Sequence, residues 1–110
     1  MSAAHPIGAF RHRLMLEAPV DTADDNGGVS RGWSAVCNLW ASIEPQRLAP
    51  RFAASREEQT VTHHIVIRRR AGMTAAMRLR RGEQIFRILA LEDADPAASF
   101  LRALCEEIKP

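Results

Sequence analysis

The chain has 110 residues, 46% hydrophobic and 5% aromatic, with two cysteines and a net charge of +2 at pH 7. That length suits one domain over residues 1–110 with a modest, mostly aliphatic core. No apolar run is long enough to span a bilayer, and the opening "MSAAHPIGAF" is not expected to be a signal peptide, because it lacks a charged segment followed by an apolar one.

"RHRLMLE" (11–17) alternates polar and apolar residues, with Leu14 and Leu16 on one face beside His12, and predicts a strand. "APVDTADDNGGVSRG" (18–32) is turn-rich and predicts a long exposed loop or a wide hairpin connection. "WSAVCNLWASIE" (33–44) predicts a second strand, closed by Pro45. Residues 45–59, "PQRLAPRFAASREEQ", break the pattern; two prolines bracket the first part, and the rest has the composition of a short helix of about two turns. Three further strands are expected at 60–70, 76–81 and 84–93. "SFLRALCEEI" (99–108) suits a last strand, although Leu101, Leu104, Cys105 and Ile108 also fit a helical stripe. Trp40, Leu39, Ile43, Ile65, Ile67, Ile85, Ile88 and Leu14 are the expected core, with Trp33 also assigned to it. The whole predicts an all-β fold, a small barrel of about six strands with two long excursions and room for one short helix.

No enzyme is legible. His63 and His64 are neighbours on one strand and point to opposite faces, so they cannot ligate one metal together. Cys37 and Cys105 lack zinc-site spacing; a disulfide between them is possible but not implied, and they read as two buried thiols of a reducing compartment. "NGG" is followed by no phosphate-binding signature. No cofactor and no metal are expected.

The arginines are the distinctive feature. Residues 1–46 carry three Arg against five acids, residues 47–87 ten Arg against three acids, and residues 88–110 one Arg and one Lys against five acids. Such a basic middle steers anions or pairs with the acidic end of another copy. The preference for Arg over Lys suits bidentate contacts to carboxylates and phosphates. "HIVIRRRAGM" and "MRLRRG" concentrate six of these arginines. If the two segments form a hairpin, Arg68 and Arg70 lie beside Arg78 and Arg80 on one face. Like charges so placed repel, so acids of a neighbouring subunit, phosphates or solvent must face them. Residues 60–81 contain no Phe, Tyr or Trp, which removes the stacking expected of a single-stranded nucleic-acid barrel but leaves a purely electrostatic one open.

The ordered set "IGAFRHRLMLEAP", "DDNGGVSRGWSAVCNLWASIEP", "VTHHIVIRRRAGMTAAMRLRRGEQIFRILALED" and "LCEE" resembles the phage head–tail joining family, also called head-closure or stopper proteins, of tailed phages, prophages and gene transfer agents. The resemblance covers residues 7–107. It implies a small β-barrel that assembles as a homo-oligomeric ring, sixfold in preference to twelvefold, between the portal–adaptor complex and the tail. It further implies retention of packaged double-stranded DNA and docking of the tail, with adaptor or portal proteins and a tail terminator protein as partners. The place of action is the particle neck, after assembly in a bacterial cytoplasm and without a membrane. The family's long loop after the Trp strand corresponds to residues 45–59, here short and Ala-rich. Arg47, Arg51 and Arg56 are expected to line the channel or meet a neighbouring subunit, and Arg68, Arg70, Arg78 and Arg80 to form a basic face toward an interface or the channel. The rival expectation is a monomeric basic β-barrel that binds nucleic acid.

Overall fold

The computed structural model describes residues 10–46 and 61–108. Six strands run in chain order as β1 (His12–Ala23), β2 (Val29–Pro45), β3 (His63–Arg68), β4 (Arg78–Arg81), β5 (Gln84–Asp93) and β6 (Phe100–Ile108). Every pairing is antiparallel. The order β1-β2-β3-β6-β5-β4 closes when β4 returns to β1, with Met15 opposite Arg80 and Glu17 opposite Arg78. The expected all-β barrel is therefore the observed one, and no described residue is helical.

Period-two alternation places one side of each strand inside. Leu14 and Leu16 of β1, Ile65 and Ile67 of β3, Leu79 of β4, Phe86 and Ile88 of β5, and Leu101, Ala103 and Cys105 of β6 form the core, joined by Ala41 of β2. The register stacks these in rows: Ala41 faces Ile67, which faces Leu101, and Ile43 faces Ile65, which faces Ala103. Residues 100–108 form a strand because this alternation buries Leu101, Ala103 and Cys105 together; a helix would have scattered them. Leu39, Ile43 and Leu91 pack on the core's margin. A bulge at Leu89 lets Ile88 and Leu91, three residues apart, both face inward. The β4–β5 turn is two residues long, Gly82–Glu83, and needs the positive φ of 61° that Gly82 supplies.

Several expectations change. Ile85, expected in the core, is only partly buried and lies outside the core cluster, because its neighbour Phe86 takes the inward position. Trp40 is 57% exposed. It lies between Leu39 and Ala41, and a strand cannot send adjacent residues to the same side. Trp33 is also exposed, because its part of β2 runs past the barrel. Residues 18–32 are not a long loop: β1 and β2 stay paired from Ala18–Ser34 to Ala23–Val29, so the segment is a two-stranded arm with only a short tip. At that tip Asp24 Oδ1 accepts hydrogen bonds from the Asn26 and Gly28 amides at 2.9 and 2.8 Å. Finally, β3 and β4 form no hairpin. β6 and β5 separate them on one side of the barrel, β2 and β1 on the other.

The two thiols differ. Cys105 is fully buried, and desolvation pushes its pKa up to about 12. Cys37 is only partly buried, with Arg70 Nη1 2.8 Å from its sulfur. A disulfide-exchange reagent at pH 8 is expected to modify Cys37 in the native protein and Cys105 only after unfolding. Peptide mapping of the modified chain checks this, and equal native reactivity of both would refute it.

Candidate interaction surface

The sequence placed four arginines on one face; the barrel distributes them. Arg68 lies on the outer side of β3 with its guanidinium 5.8 Å from the centre of the Phe100 ring. Arg70 meets Cys37. Arg78 and Arg80 sit on the opposite side of the barrel and share one carboxylate. Arg78 Nε donates to Glu17 Oε1 at 2.6 Å, and Arg80 Nη1 lies 3.7 Å from Glu17 Oε2. The other two of the six are also held internally. Arg69 pairs with Asp93, and Arg81 donates to Gln84 and lies 2.7 Å from His12 Nδ1. That imidazole is held below its usual range, first by desolvation and then by the charges of Arg81 and Arg11. The arginine-rich segments are thus largely answered within the chain. Arg47, Arg51 and Arg56 lie outside the described residues.

Glu17 and Trp33 organise a surface that sequence reasoning missed. Val36 is the extra residue of a bulge opposite Leu16 and Glu17. Beyond this bulge β1 and β2 leave the barrel as the arm. Glu17, at the arm's root, is 8% exposed. Arg78, opposite it on β4, has its guanidinium 4.2 Å from the centre of the Trp33 ring, so the cation lies between a carboxylate and an indole face. Between arm and barrel lies a groove of about 340 Å³ with Trp33, Met77 and Ile108 among its apolar walls and Arg31, Arg78 and Arg87 among its basic ones. Arg31 is bound to Asp21 at 3.0 Å, whereas Arg87 has no ion pair among the described residues. The only legible signal was the parity that puts Glu17 on the face away from Leu16; the pairing of β1 with β4 was not.

A second groove, of about 500 Å³, is lined by Phe10, Leu39, Trp40 and Arg68. Phe10 meets Phe100 edge-on at 5.3 Å on the same side. Among the described residues no three His, Cys, Asp or Glu side chains converge as a metal site. His63 contacts Thr62 Oγ1 at 2.9 Å and the edge of Phe86 at 5.1 Å, so it is a packed side chain. What both grooves offer is an apolar wall with an arginine rim, which suits recognition of a protein surface carrying carboxylates.

Comparison with known proteins gives this surface a context. A search of curated sequences returned no match. Among solved structures, a chain in the virion of a native gene transfer agent particle superposes with a TM-score of 0.66 at 28% identity, over 89% of this chain and 94% of that one. The solution structure of protein SF1141 from Shigella flexneri 2a superposes with a TM-score of 0.70 at 26% identity, over 94% of this chain and 96% of that one. The sequence profile of the phage head completion proteins matches residues 5–108. With almost the whole barrel matched, the chain belongs to the phage head completion protein family.

Proposed function

We propose that this chain closes the particle head after DNA packaging, as a ring of copies set between the portal–adaptor complex and the tail. The ring retains packaged double-stranded DNA and presents the surface on which the tail docks. The observation that carries this reading is the family match over residues 5–108, supported by the shared barrel of the gene transfer agent chain. The charge layout is compatible with it: arginine-rimmed grooves and acidic segments on one chain allow head-to-tail contacts, which close into a ring when the rotation per copy divides the circle. Adaptor or portal proteins and a tail terminator are the partners on this reading, and the neck is the site of action. Arg47, Arg51 and Arg56 face the channel or the adjacent copy. The alternative of a monomeric nucleic-acid binder draws less support, because Arg69, Arg78, Arg80 and Arg102 are engaged by acids of their own chain.

Particles assembled without this chain are expected to have packaged or leaking heads not joined to tails, scored by electron microscopy and by nuclease-protected DNA. Normal yields of tailed, DNA-filled particles would overturn the reading. Replacing residues 46–57 with a Gly-Ser linker in the same assay tests the loop: DNA loss or failed tail joining by a folded protein is the expected result.

A further inference from the structure

We propose that the groove at the root of the arm is the receptor for the tip of the same arm from a second copy of this chain. The inference rests on the head-closure reading only in placing the contact within a ring.

The groove asks for an acidic, partly apolar guest. Arg31, Arg78 and Arg87 approach one another around Trp33, Met77 and Ile108. Glu17 is already shared by Arg78 and Arg80, and Asp21 is taken by Arg31. Arg87 stands across the sheet from Glu106 without an ion pair among the described residues. Arg87 therefore stays open to a carboxylate from outside, beside the exposed surface of Trp33 and Ile108.

The arm supplies the matching chemistry. Its tip carries Asp24 and Asp25 in sequence. One oxygen of Asp24 is used to fix the turn, which Gly27 completes at a φ of 82°, while Asp25 forms no hydrogen bond or ion pair among the described residues. Just behind the tip, Val29, paired with Ala23, is 68% exposed. An exposed valine gains nothing in water, but beside an acidic turn it matches an apolar groove with a basic rim. The arm is also preorganised: its strands are paired up to Ala23 and Val29, so little conformational freedom is lost on docking. The groove runs from the arm's root to the Arg31–Asp21 pair, and the tip lies beyond it. Mutual exchange between two copies is one arrangement, but tip to groove in succession is heterologous and is the kind of contact from which rings are built.

The test places a photo-crosslinking residue at the tip without disturbing the aspartates, by replacing Asn26 with p-benzoyl-phenylalanine. Isotopically light and heavy full-length chains are mixed, irradiated in concentrated solution at low salt, and digested for mass spectrometry. Light-to-heavy products joining the tip to the peptides that contain Trp33 or residues 75–87 are expected. Arg87→Glu should lower their yield roughly fivefold, the order for loss of one exposed charge pair, and adding Asp25→Arg should restore it. The same chains are then built into particles and irradiated there. Crosslinks confined to other surfaces, crosslinks to a different particle protein, a yield indifferent to Arg87→Glu, or no crosslink between copies in either setting would overturn the proposal. The head-closure reading is judged separately by tail joining in particles lacking the chain, so either idea can fail while the other stands.

Discussion

Phe86→Ala is expected to destabilise the folded chain by about 3–5 kcal/mol. Phe86 is the largest fully buried side chain described, on β5 opposite Leu79 of β4 and against His63. Its ring fills the middle of a closed barrel whose backbone cannot collapse inward without breaking ladders on both sides, so the cavity would persist. Domains of this kind are stable by only about 5–15 kcal/mol, and the variant would sit close to its unfolding transition. Urea titration reads the effect as a lower midpoint at unchanged slope. Trp40→Ala provides the contrast: with 57% of its surface already in water, its loss should cost about 1 kcal/mol or less. If the two variants are equally stable, the assignment of inside and outside is wrong.

Removing Glu17 should be nearly as damaging, by a different route. Its side chain is 10% exposed and that of Arg78 17%, so neither partner is well solvated. Glu17→Ala leaves the Arg78 guanidinium against Trp33 with no carboxylate, at a cost of about 3 kcal/mol. Arg80, 45% exposed, turns to solvent and contributes little to the loss. The double variant Glu17→Leu with Arg78→Met should recover most of the stability, since paired burial of apolar groups removes the unpaired charge. Denaturant midpoints of Glu17→Leu, Arg78→Met and their double variant close the cycle. A Glu17→Ala variant within 1 kcal/mol of the parent would show that water reaches the pair.

The strands were legible where alternation is clean: Leu14 and Leu16, Ile65 and Ile67, and Phe86 and Ile88 are all inside. Trp40 has the bulk of a core residue but not the parity of one: Leu39 and Ala41 on either side take the inward positions. The arm is hard to see in the sequence because "DDNGG" marks only its tip; the pairing of Ala18 through Ala23 is cross-strand and has no local mark. The arginine surface was misplaced for a topological reason. Consecutive strands often pair, but β3 and β4 face away from each other across the barrel, and the acids that hold their arginines come from β1 and from the end of β5. No local pattern carries the partnership of Glu17 with Arg78.

Barrel closure also sets the order in which the chain can fold. The β1–β2 and β4–β5 hairpins are local and form quickly, but the seam joins Met15 to Arg80 and Leu16 to Leu79, the most distant pairings in the sheet. Such seams are slow, in the range of milliseconds to seconds. Until the seam closes, β1 and β4 both present bare edges that invite another chain to pair with them. Concentration-dependent misassembly during refolding should therefore begin at those two edges and cease once residues 15–17 are protected from hydrogen exchange.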